Sequence, residues 1–85
     1  MTASINDVLD EREETHGDFR DVSDVYYALQ NALYQNGFDK REYIAVLDML
    51  CMKMARIVSG DPTHEDHWID LGGYSEIGRR IARHV

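Results

Sequence analysis

The run YIAVLDMLCMKMARIV, residues 43–58, decides the fold of this 85-residue chain. Its sixteen residues include only three charges, at Asp48, Lys53 and Arg56. It shows no apolar–polar alternation and is about three times the length of an average strand. Ile44, Leu47, Leu50, Cys51, Met54 and Val58 recur in steps of one, three and four, the spacing of one helical face. Met49 and Met52 fall on other sides of the same cylinder. A helix that is apolar nearly all round sits at the centre of its bundle or is shared with a second chain. Eighty-five residues can hardly cover every side of it, so the sequence predicts self-association through helix 40–59.

The ends of that helix are marked. Asp39 opens DKRE with Glu42 three residues on, a capping-box spacing, and Gly60 stops the run. Working outward, Ser4 and Asp7 form a similar pair ahead of a short helix over 5–15. Gly17 ends or bends that helix. Asp18 can cap a helix over 19–36, whose stripe is Phe19, Val22, Val25, Tyr26, Leu29, Leu33 and Tyr34, with Asn36–Gly37 as its stop. Thr63 with Asp66 predicts a fourth helix over 64–83, its apolar face made by Trp68, Leu71, Ile77 and Ile81. Gly72 and Gly73 lie inside it, where glycine costs about 1 kcal/mol against alanine. They read as a close helix–helix approach, a kink, or a place where a ligand nears the backbone. The expectation is one all-α domain over 1–85, a compact bundle of four helices.

Composition narrows the setting. Sixteen acids against nine Lys and Arg leave a net charge of −7, and residues 1–24 alone hold eight acids and two arginines. Such a chain is a poor general binder of nucleic acid or of anionic membrane. An acidic arm that contacts a basic partner is the sharper reading of that end, and simple solubility the plainer one. The lone Cys51 lies in the apolar run and cannot form an internal disulfide. With no long apolar span and no basic-then-apolar start, a cytoplasmic location is expected.

Chemistry could come from a few positions. Asp66 and Asp70 are four apart, so their carboxylates share a helix face and could hold a hard cation such as Mg²⁺. The same spacing fits a solvated acidic face near a helix N-terminus. His16 and Asp18, either side of Gly17, could add to that site, and Tyr74 lies one turn beyond Asp70. Lys53 and Arg56 interrupt the apolar helix and need partners, because an unpaired buried charge is expensive. They form either structural ion pairs or a clamp for phosphate. Nothing resembles a zinc motif, a glycine-rich phosphate loop or a serine–histidine–aspartate hydrolase.

Taken together, THGDF at 15–19, LDMLCMKMARI at 47–57 and DHWIDLGGY at 66–74 resemble a family of small helical proteins of phages and prophages, catalogued as a domain of unknown function. The matching positions are Glu11, Arg12, His16, Gly17, Phe19, Lys53, Arg56, Asp66, Asp70, Gly73 and Tyr74, spread over roughly residues 8–77. More distantly the pattern is similar to the all-α nucleotide pyrophosphohydrolases, which hold Mg²⁺ on acids of paired helices. Asp66 and Asp70 match their later acidic pair; Glu11 and Glu14 have the spacing of the first pair but fall on a short, exposed helix. The resemblance implies a helical fold and a phage setting and brings no known reaction. The polar residues themselves suggest a pocket for a nucleotide or another phosphate metabolite. In it Asp66 and Asp70 would hold Mg²⁺, Lys53 and Arg56 would hold phosphates, Asp18 and Tyr74 would line the ligand, and His16 would act as base or orient water. The alternative is an accessory protein without chemistry, which sequesters a nucleotide signal or blocks a host protein.

Overall fold

In a computed structural model, described over residues 4–84, the chain forms an all-α bundle. Its helices are α1 (Ile5–His16), α2 (Phe19–Tyr34), α3 (Arg41–Ser59) and α4 (Glu65–Arg83). Each begins and ends within two residues of the boundary its sequence predicts. Among the described residues no helix is long and apolar enough to cross a membrane.

The caps explain where two of the helices start. The Ser4 hydroxyl accepts from the Asp7 N–H at 3.1 Å while the Asp7 carboxylate accepts from the Ser4 N–H at 3.3 Å, a complete capping box. Asp18 caps α2 by accepting from the Arg20 N–H at 2.7 Å. The other two predicted boxes do not form. Lys40 and His64 occupy the N-cap positions of α3 and α4, and neither side chain caps. Each helix starts one residue later than the box requires, which leaves Asp39 and Thr63 outside it. Thr63 is instead held by Asp61, whose carboxylate accepts its N–H at 2.9 Å and its hydroxyl at 2.6 Å. That closes a tight Asx turn over Pro62.

Helix α3 is the centre. It packs along α2 on one flank and α4 on the other, and its C-terminal end meets α1, while α2 and α4 have at most marginal contact with each other. The bundle is therefore a layer with α3 in the middle. On the α2 flank lie Cys51, Ala55 and Asp48, whose carboxylate accepts from the Tyr34 hydroxyl at 2.7 Å. On the α4 flank lie Val46, Lys53 and Ile57, all buried. A methyl group at Gly78 of α4 would sit 3.6 Å from Val46 Cγ1, so this is the glycine at which the two helices come close.

This arrangement corrects the predicted core. Val58 and Met54, placed on the main apolar stripe of α3 by their spacing, are 69% and 38% exposed. The covered sides of α3 are its flanks, and the stripe through Met54 and Val58 runs between them. In α4 the inward residue is the fully buried His67, while Trp68 and Ile77 are exposed. Helix α4 runs unbroken through Gly72 and Gly73, and a methyl at either would meet nothing within 4 Å. Neither a kink nor a close helix approach accounts for that pair.

Candidate functional site

Two glycines decide how α1 reaches the rest of the molecule. Gly17 closes α1 with its N–H on the Glu13 carbonyl at 2.9 Å, at φ 82° and ψ 166°. This is backbone that glycine enters readily and other residues do not. Gly60, at the end of α3, passes so close to Thr15 that a β-carbon there would collide with the Thr15 carbonyl oxygen. At this crossing the Thr15 carbonyl, one of the four that a helix end leaves without partners, accepts two bonds. The Asp61 N–H donates to it at 3.0 Å, and His67 Nε2–H at 2.8 Å. One oxygen of α1 thus ties down the α3–α4 turn and the first turn of α4.

Three imidazoles gather there. The ring centres of His16 and His64 each lie 4.9 Å from that of His67 and 5.8 Å from each other, edge to face. Because His67 donates from Nε2 to a carbonyl, its Nδ1 carries the lone pair, and that atom is buried without a partner. The Thr15 hydroxyl lies 2.6 Å from His16 Nδ1 and 3.2 Å from the Arg12 carbonyl, and its single proton serves one of the two. Burial first, and then the charges of neighbours that include Arg12, Lys53 and Arg56, hold the His16 imidazole below its ordinary pKa.

Beside this junction α1, α3 and α4 enclose a cleft of about 260 Å³, lined by Arg12, His16, Met49, Met52, Lys53, Arg56, Asp70 and Tyr74. Lys53, only 5% exposed, donates to Asp70 Oδ2 at 2.7 Å. This hydrogen bond holds the Asp70 carboxyl below the usual carboxylate range. Behind Arg12, His16 and Arg56 a second hollow of about 220 Å³ is walled by Leu9, Phe19 and Val22. A cationic chamber and an apolar one therefore share three walls. Among the described residues neither the Arg12 nor the Arg56 guanidinium lies in an ion pair.

The structure brings together His16, Lys53, Arg56, Asp70 and Tyr74 as the sequence suggests, and leaves two members of the expected set outside. Asp18 is occupied at the cap of α2. Asp66 is exposed, its carboxylate 3.9 Å from His64 Nε2. The residues do not fit Mg²⁺ in this arrangement: Asp70 is held by Lys53, Asp66 points elsewhere, and among the described residues no three His, Cys, Asp or Glu side chains are grouped to hold a metal ion. Arg12 and His67 take part although sequence reasoning gives neither a role: Arg12 stands there only among the positions of the resemblance. Arg12 lies four residues before His16, on the same side of α1, and His67 heads the inward stripe through Leu71, Tyr74 and Gly78. Cys51 is fully buried, and burial with the nearby Asp48 charge raises its thiol pKa, so it is no nucleophile.

Comparison with curated proteins and with solved structures finds no match. The family comparison does: residues 1–82 match the family described as a domain of unknown function, DUF6378, and the chain belongs to it.

Proposed function

We propose that this protein binds a nucleotide or another phosphate-bearing metabolite in the cleft between α1, α3 and α4. The observation that carries this reading is that Arg12 and Arg56, neither in an ion pair among the described residues, both line one cleft of a chain whose net charge is −7. Guanidinium forks match phosphate oxygens two bonds at a time, and the adjoining hollow at Leu9 and Phe19 offers an apolar wall to a flat ring. Lys53, already neutralised by Asp70, sets the floor. His16 adds an uncharged imidazole at the rim. Tyr74 adds a hydroxyl.

The reading is one of binding. Hydrolysis assisted by Mg²⁺, the other form that the polar residues suggest, asks for a carboxylate pair that Asp66 and Asp70 do not make here. An accessory protein that holds a nucleotide signal without consuming it is the role this cleft fits.

The test is thermal unfolding with inorganic phosphate, nucleoside mono-, di- and triphosphates and cyclic dinucleotides, with and without Mg²⁺. A ligand present at about 100 times its dissociation constant adds about 2.7 kcal/mol, on the order of 10 °C for a domain of this size. Arg56→Gln should remove the shift and leave the unliganded Tm within a few degrees. Release of phosphate or pyrophosphate only with Mg²⁺ would replace binding by hydrolysis. No shift with any phosphate compound would end the proposal.

A further inference from the structure

We infer that this chain pairs with a second copy of itself through the open stripe of α3. Tyr43, Leu47, Leu50, Met54 and Val58 follow one another in steps of four and three, so they share one side of the helix. That side lies between the flank covered by α2 and the flank covered by α4, opposite Met49 and Met52 of the cleft. It carries no charged residue, although charged residues are 29% of the chain. Met54 and Val58 are exposed on it and the other three are half-buried.

The surface area says how large the missing cover is. A compact monomer of 9.8 kDa exposes about 5,200 Å². This chain exposes 6444 Å². The surplus, roughly 1,200 Å² summed over the whole chain, is of the same order as the 800 Å² or so that each partner contributes to a standard stable interface, and Met54 and Val58 are the exposed apolar residues that the stripe contributes to it. The radius of gyration agrees, at 15.0 Å against about 12 Å for a compact domain of this length. Among the described residues of one chain only Val22, Val46, Cys51, Ala55 and Ile57 are buried apolar residues, a small core for four helices.

The occupant follows from the stripe. An uncharged face with four-and-three spacing on one straight helix is complementary to itself: two copies related by a two-fold axis set Leu and Met of one α3 between those of the other. The axis keeps both clefts, on the opposite side of α3, open to ligand. A charged or extended partner would leave the stripe's apolar area without a matching surface.

Sedimentation equilibrium decides this. The wild-type chain should sediment at about twice its 9.8 kDa mass at tens of micromolar. Val58→Glu, tolerated by the single chain because the position is exposed, should raise the dimer dissociation constant tenfold or more. Ile69→Glu, exposed on α4 away from the stripe, should leave it unchanged. Independently of any variant, the wild-type Tm should climb by several degrees over a hundredfold rise in protein concentration. A monomer whose Tm ignores concentration overturns the proposal, and so does a dimer that Val58→Glu leaves intact.

Discussion

Alanine at Gly17 should be among the most damaging single methyl groups in this protein, alongside alanine at Gly60, where a β-carbon would collide with the Thr15 carbonyl oxygen. Two costs combine at Gly17. At φ 82° and ψ 166° an L-residue is strained by about 1–3 kcal/mol. The new β-carbon would also lie 2.6 Å from the Ser59 carbonyl oxygen and 2.7 Å from Ser59 Cβ. Backbone cannot rotate away as a side chain can, so α1 must lift off the end of α3. That would lengthen the bonds from Asp61 and His67 to the Thr15 carbonyl. Strain plus partial loss of that junction amounts to about 2–4 kcal/mol, or a fall in Tm of roughly 10 °C or more. Two other glycines calibrate the effect. Gly37 has φ 80° with nothing within 4 Å of a β-carbon, so Gly37→Ala bears strain alone, about 1 kcal/mol. Gly72 is helical with open space around it, so Gly72→Ala should stabilise by about 0.5–1 kcal/mol. Thermal melts followed by circular dichroism at one protein concentration give the ranking, and hydrogen exchange of α1 amides locates the loss. If Gly17→Ala melts with Gly37→Ala and its α1 amides exchange as in the wild type, α1 is not clamped as described.

Asp70→Asn should leave the buried Lys53 ammonium with a neutral partner and lower Tm. The double variant Lys53→Met, Asp70→Asn should recover most of the loss, because it removes the stranded charge, and a double-mutant cycle measures the coupling. Acid should loosen the α1 junction as His16 takes up a proton. Because the folded pKa of His16 lies below its ordinary value of 6.5, its contribution is present above that pH and is lost as pH falls through the depressed value. His16→Gln should flatten the Tm profile in the window just below pH 6.5, and an unchanged profile would assign the acid loss to other groups.

The helices were legible because their signals are local. Apolar steps of three and four, Ser4 and Asp18 at two starts, and Gly17, Gly37 and Gly60 at three stops each act within one turn of chain. The core was less legible for a reason visible in α3. A helix apolar on every side has no face that its own periodicity singles out, so choosing Met54 and Val58 over Val46 and Ile57 was close to arbitrary. Which flank is covered depends on where α2 and α4 lie, and that is not encoded within the helix. The buried Lys53 shows the same limit from the other direction: only the placement of Asp70 on α4 makes its burial tolerable. In the candidate site, spacing brought Lys53 and Arg56 to one cleft correctly, yet put too much weight on Asp66 and Asp70. Four residues apart on a helix is a rotation of about 40°, enough to let Asp70 lean on α3 while Asp66 clears it. His67 was hidden because its role is set by the Thr15 carbonyl, 52 residues away in sequence.

The charge distribution also bears on what kind of phosphate this cleft can select. At physiological ionic strength the field of an exposed charge fades over about 8 Å. On the proposed reading a small anion seated in the cleft would meet Arg12 and Arg56, with Asp70 as the one acid of its lining. A nucleic-acid strand long enough to pass over the molecule cannot do this. It must cross the acidic face of α1, where Asp7, Asp10, Glu11, Glu13 and Glu14 lie exposed, and counterion release there has few cations to draw on. On the proposed reading the same sequence would attract phosphate at one point and repel it over most of its length. Selection by size would follow without any contact that reads the ligand: mononucleotides and compact dinucleotides would gain the arginines, while polymers would meet the acids.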